Sequence, residues 1–173
     1  MKNKLKILHV IPTLKKDGAE VQLAAILNNI NLVKCELFTF DVYKNGDSIL
    51  HDLNKIMVYS SSSINFITLF KLINNNKYDI VHSHLPKADF YVGLIRIFNK
   101  KFKHIISVHA KYGTRTGESK PKYFFSNIFW KKILNKSSGV IAISNNIKTW
   151  LVRDIEIYEQ LISVIHYGIK IKD

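Results

Sequence analysis

The 173 residues carry a formal net charge of +13, with 47% hydrophobic and 23% charged residues. That balance describes a globular chain of one domain with a substantial core and excludes a disordered one. No apolar run approaches the about 20 residues that span a bilayer, and the single cysteine, Cys35, excludes an internal disulfide and fits a reducing compartment.

The lysines are spread along the chain, so the charge predicts attraction to polyanions without choosing among nucleic acid, anionic lipid and a phosphorylated substrate. The start, MKNKLKILHVIPTL, is basic. Its apolar run is short, contains His9 and Pro12, and lacks a small-residue cleavage site. It reads as a buried first strand (5–11) and the protein as cytoplasmic. A helix follows over 19–30, with Val21, Ala24, Ala25 and Leu27 or Asn28 at helical intervals. A second strand covers 35–43, where Cys35 reads as a small apolar filler, and a short third covers 56–59. A serine-capped helix spans 61–76, with Phe66, Leu69, Phe70 and Ile73 on one face. Strand 78–84 ends in His82 and His84, helix 87–100 follows, and strand 104–110 ends at His109. A polar loop (111–122), a helix (123–136), a strand (139–144), a helix (145–154) and a last strand (161–169) complete the chain. Buried strands alternating with helices specify an α/β fold: a single Rossmann-like domain, residues 1–173, its sheet mostly parallel with helices on both faces.

In such sheets the ligand site lies outside the carboxyl ends of the strands, and polar residues gather there. Gly18 opens the turn after the first strand, where a backbone can approach an anion at a helix N-terminus. Asp17 and Glu20 fit equally well as a helix cap and a favourable first-turn charge. His84 and His109 fall where neighbouring strands bring them to one edge, suited to bonding a substrate hydroxyl or a developing charge. His82 reads as mostly structural. Zinc is a poor reading, because no cysteine or carboxylate is spaced to complete a His-x-His pair. In helix 123–136, Phe125, Phe129 and Ile133 form a stripe that can face the sheet. Tyr123, Trp130 and Leu134 form a second. Flanked by Lys120, Lys122, Lys131, Lys132 and Lys136, the second stripe is either buried or set against an anionic bilayer.

Taken in order, HVIPTLKKDGAE, YDIVHSHLPKADFYVGL, SVHAKYG, SGVIAIS and VIHYGI resemble the N-terminal domain of the retaining glycosyltransferases of family four, which have the GT-B fold. The resemblance covers essentially the whole chain, and the order and spacing carry it. It implies an acceptor-binding half facing a second, nucleotide-sugar-binding domain that these residues do not supply. Gly18 and Glu20 would lie on the donor side, although Asp17 replaces a family glycine and would repel a diphosphate. His109 would lie at the reacting centre, with His84, Lys111 and Ser144 around the acceptor. Gly168 keeps the glycine of the turn into the second domain, where His166 and Tyr167 replace Pro and Asn. The implied partners are a nucleotide sugar, a glycan or lipid-linked acceptor, a separate chain supplying the second domain, and an anionic membrane surface at 120–136. The expected cofactor is none, with no metal. No nucleic-acid motif is present, and the alternative function is a non-catalytic membrane- or partner-binding module.

Overall fold

The computed structural model describes residues 4–42, 46–61, 65–112 and 120–168, with backbone alone for 65 and 120–127. The loop expected at 111–122 and the side chains of Lys120, Lys122, Tyr123 and Phe125 therefore lie largely outside the described residues. In chain order the elements are β1 (Lys6–Thr13), α1 (Gly18–Asn29), β2 (Lys34–Asp41), β3 (Met57–Ser60), α2 (Asn65–Asn76), β4 (Ile80–His84) and α3 (Pro86–Phe98). They continue as β5 (Lys103–Val108), α4 (Lys120–Lys136), β6 (Gly139–Ala142), α5 (Asn145–Arg153) and β7 (Ile162–Val164). The sheet order is β3-β2-β1-β4-β5-β6-β7, and every pairing is parallel. The chain leaves β1 toward β2 on one side and has β4 on the other, so a topological switch point lies between β1 and β4.

Register divides the sheet into two unlike faces. Val10, Ser83, Ile106 and Val140 stand in one row, and that face is covered by α2 to α5. His9, His82, Ile105 and Gly139 stand in the adjacent row, on the other face. There α1 packs Leu23, Ala24 and Leu27 against Ile11 and Leu37. Both faces thus carry helices, unequally. Among the described residues no helix covers the second face over β5 to β7, where Ile105 and Ile141 are half-buried and Ile165 is exposed.

Two helix phases differ from the sequence reading. In α1 the buried residues are Glu20, Leu23, Ala24 and Leu27, while Val21 and Ala25 face solvent. The spacing is as expected but the phase is one residue off, because apolar side chains lie all round this helix. In α4, Trp130, Ile133 and Leu134 are buried and Phe129 is exposed. Of the second stripe, Trp130 and Leu134 are thus buried in the core, and the side chain of Tyr123 lies outside the described residues. The Trp130 indole N–H donates to Asp89 Oδ2 at 2.9 Å, the partner a buried tryptophan requires. The helix also begins at Lys120, three residues early, with Pro121 in the first turn where its missing N–H costs nothing. β7 stops at Val164, short of the expected 169.

Candidate active site

The site is a file of rings at the switch point. His9 and His82 are register partners across β1 and β4, and His84 lies two residues on, on the same face. His9 Nδ1 and His84 Nε2 are hydrogen-bonded at 3.1 Å. His84 Nδ1 and His109 Nε2 are hydrogen-bonded at 3.2 Å. The Tyr167 hydroxyl sits over the edge of the His109 ring, 2.5 Å from Nδ1 and 3.3 Å from Nε2. The chain His9–His84–His109–Tyr167 thus runs from the buried centre of the sheet to its carboxyl edge. His82 stands beside it, hydrogen-bonded through Nε2 to Ser107 Oγ at 2.8 Å. His9 Nε2 is buried without a partner.

Burial keeps these rings neutral. It lowers the pKa of His9 and of His109 to about 4 and holds His82 and His84 well below the usual imidazole value. Neighbouring rings add to the depression at His82 and His84. Each neutral imidazole has one N–H and one lone pair, which suits an array in which rings bond one another. A second buried group lies on the helical face. Asp89, its pKa raised to about 7 by burial, accepts from Ser83 Oγ and Trp130 Nε1, and Ser83 also bonds His104. That network ties α3, β4, β5 and α4 together behind the histidine file.

The file opens beside a strained residue. Leu85, which follows His84 and precedes Pro86, has φ 72 and ψ 148. Proline disfavours the helical region for the residue before it. The abrupt turn from β4 into α3 completes the displacement, into a region that L-residues rarely occupy.

The remaining expected residues flank this centre. Gly18 is exposed, and a Cβ there would meet no atom within 4 Å, so the turn is open to an approaching group. Asp17 occupies the N-cap position of α1 but makes no side-chain cap. Its carboxylate pairs with Lys15 at 3.4 Å on the surface. Glu20 is buried, its pKa raised by burial and partly countered by a backbone hydrogen bond. Ser144 caps α5, its Oγ accepting from Ile147 N at 3.3 Å. Lys111 is exposed. The structure therefore joins His84 and His109 directly, while Ser144 is engaged in a cap.

The family model of Glycosyltransferase Family 4 matches residues 9–173. The chain belongs to glycosyltransferase family 4. The fold is that of the N-terminal half of GT-B enzymes. Anabaena HepE, solved in complex with UDP, is similar at 17% identity and TM-score 0.71 over 95% of this chain and 44% of HepE. The lipopolysaccharide outer core galactosyltransferase WaaB is similar at 18% identity and TM-score 0.73 over 97% of this chain and 47% of WaaB. A glycosyltransferase from Rickettsia africae shares 22% identity at TM-score 0.68 over 96% and 44% of the two chains. The chain thus spans about half the length of these structures. UDP-N-acetylglucosamine 2-epimerase shares the fold too, at 16% identity and TM-score 0.66. No curated protein matches the sequence.

Within this family-4 domain, the sequence reading missed His9 as a site residue and passed over His82. Their signal is pairing: two histidines in adjacent buried strands at the same depth. Tyr167 was visible only as a departure from the family turn. His9, His82 and His84 have ring nitrogens within 4.8 Å of one another, a donor set with room for one soft divalent cation. The set holds three neutral imidazoles and no carboxylate or thiolate, and His9 and His84 are bonded to each other. No described helix is long and apolar enough to cross a membrane. A cleft of about 820 Å³, lined by Leu27, Lys34, Cys35 and Glu36 among others, lies at the opposite, amino edge of the sheet.

Proposed function

We propose that this domain is the acceptor-binding half of a nucleotide-sugar-dependent retaining glycosyltransferase that builds a bacterial surface polysaccharide or glycolipid. The observation that carries the reading is the neutral His84–His109 pair at the carboxyl edge of the switch point, in a family-4 chain. The HepE structures with UDP and UDP-glucose support a nucleotide sugar as donor. On this reading His109 accepts a hydrogen bond from a sugar hydroxyl beside the reacting centre. The open Gly18 turn, with Glu20 behind it, forms one wall of the diphosphate site. The Asp17–Lys15 pair moderates the repulsion a carboxylate would exert there. Lys111 and Ser144 border the acceptor. The reading needs no metal, and the other wall of the donor site is a second domain, on a longer chain or a separate one.

A non-catalytic membrane-binding module is the second reading. The observation favouring it is an exposed aromatic pair, Phe90 of α3 and Phe129 of α4, ring centroids 5.2 Å apart, with Ile97, Phe98 and Ile128 also exposed. The test is transfer of labelled sugar from UDP-sugars to lipid-linked acceptors by this domain joined to its donor domain. Transfer that falls at least about a hundredfold on His109→Ala is expected. Equal transfer by the variant, or full activity from the 173 residues alone, would overturn the proposal. Vesicle binding lost on Phe90→Ser and Phe129→Ser, with no transfer under any pairing, would favour the second reading.

A further inference from the structure

We propose that Tyr167 is a second sugar-contacting residue, whose hydroxyl and the Nδ1 of His109 together hold one hydroxyl of the transferred sugar. The inference rests on the reading of His109 as the sugar-contacting residue and adds the group that shares its ligand.

Beyond β7 little holds the backbone. Among the described residues its last backbone hydrogen bond is Ile165 N to Ala142 O, at 3.0 Å. Ile165, His166 and Gly168 are exposed, and a Cβ on Gly168 would meet no atom within 4 Å. Tyr167 alone of these four is half-buried. It belongs to none of the three apolar clusters of the core, so core packing does not explain its burial. In the sheet β6 separates β5 from β7. Tyr167 therefore reaches back across the end of β6 to meet His109, the residue after β5. The strap is fastened to the site by this one side chain.

The contact leaves room for a ligand. The Tyr167 hydroxyl oxygen lies 2.5 Å from His109 Nδ1 and 3.3 Å from Nε2, with the ring centroids 5.5 Å apart and the planes tilted by 32°. An oxygen that close to both nitrogens stands over the ring, not at the end of one lone pair. Hydrogen bonds at an sp² nitrogen are best made in the ring plane. Nε2 spends its bond on His84 Nδ1 at 3.2 Å. Among the described residues no group meets Nδ1 in that plane. The phenol has capacity to spare as well, since its described partners are these two nitrogens. Burial raises its pKa, so it keeps its proton at neutral pH. A ligand oxygen bonded to Nδ1 in the plane lies beside the phenol oxygen above it, and a small turn of the strap brings the two into bonding distance.

The chemistry of this corner favours a hydroxyl. A neutral imidazole nitrogen either donates or accepts, and a phenol does both. A sugar hydroxyl also does both. If Nδ1 carries the lone pair, the hydroxyl donates to it and accepts from Tyr167. If Nδ1 carries the proton, the hydroxyl accepts from it and donates to Tyr167. A hydroxyl thus fits the corner whichever direction the histidine file takes, whereas an oxygen without a hydrogen fits only one.

The experiment compares UDP-glucose with UDP by titration calorimetry, on this domain joined to its donor domain. Tyr167→Phe keeps the ring and removes the oxygen. It is expected to weaken UDP-glucose by at least about fivefold, the weight of one net hydrogen bond, and to leave UDP unchanged. A variant that only disturbed the strap or the fold would weaken both. His109→Ala is expected to weaken UDP-glucose as well. The double variant should depart from the product of the two effects, because both side chains hold one hydroxyl. Equal losses for UDP and UDP-glucose, no loss for either, independent effects in the double variant, or no UDP-glucose binding by the unsubstituted pair would each overturn the proposal. These are binding readings and need no transfer, so a His109 dispensable for transfer and a Tyr167 dispensable for binding are told apart.

Discussion

Lowering the pH from about 7 to about 4 should unfold this domain, and the histidines decide the sign. A ring whose folded pKa lies below its unfolded value binds fewer protons when folded. Stability is therefore complete above the unfolded value near 6.5 and is lost as pH falls toward the folded value. His9, lowered to about 4, gives up about 3 kcal/mol over that window. His104, lowered to about 3, gives up about the same by pH 4 and more below it. Asp89 acts in the opposite sense. Its pKa is raised to about 7, so the folded state binds the extra proton and gains up to about 4 kcal/mol on acidification. His82, His84 and His109 add to the loss. His9, His104 and His109, at about 3 kcal/mol each, against about 4 kcal/mol from Asp89 leave a net loss on the order of 5 kcal/mol, comparable to the whole stability of a small domain, and His82 and His84 enlarge it. Urea midpoints measured across this pH range should fall steadily. Asp89→Asn should steepen the fall, because it removes the fully buried carboxyl that opposes it most, Glu20 being raised in the same sense. A midpoint that is flat or rises between about pH 7 and 4.5 would refute the assignment of neutral, desolvated rings.

Gly93 of α3 sets the approach to α4: a Cβ added there would lie 2.8 Å from Ile133 Cγ2. Gly93→Ala should lose about 1–3 kcal/mol to crowding and regain about 1 from helix propensity, and Ile133→Ala in the same chain should remove the crowding term, as a double-mutant cycle in urea would show. The three-histidine donor set permits a different check. If His9 and His84 are bonded to each other, Co²⁺ or Zn²⁺ should give no one-to-one rise in melting temperature, whereas a stoichiometric rise lost in His82→Ala would make the file a metal centre.

Some of this site could be read from the sequence, and the reason is geometric. His84 and His109 end buried apolar runs, and a parallel sheet brings such ends to one edge. His9 lies inside its strand and gains its partner only through the β1–β4 pairing, from a residue 75 positions away. Tyr167 meets His109 across 58 positions by way of an edge strand of three residues. Neither contact leaves a local trace. Helix phase was lost for a related reason. Period places residues on a common face but does not say which face is inward when apolar residues lie all round, as in α1. The burial of Trp130 is set by Asp89, a carboxylate in another helix, whose own burial nothing in the residues around it announces.

The strain at Leu85 yields a signed prediction, because two truncations of one side chain can be compared. Leu85 is half-buried against the cluster of Ile11, Leu23 and Leu37. Replacing it by alanine or by glycine removes that packing, and the two losses are similar. The backbone terms differ. At an ordinary position glycine is worse than alanine by about 0.5–1 kcal/mol, since its unfolded chain is freer. At φ 72 and ψ 148 a Cβ is strained by about 1–3 kcal/mol, and glycine is not. Leu85→Gly should therefore be more stable than Leu85→Ala by about 1 kcal/mol, a reversal of the usual order. If alanine proves the more stable, the turn relaxes without cost and Leu85 stores no strain. If glycine does, the residue after His84 is held against its preference, and the same turn that strains it fixes where His84 meets His109.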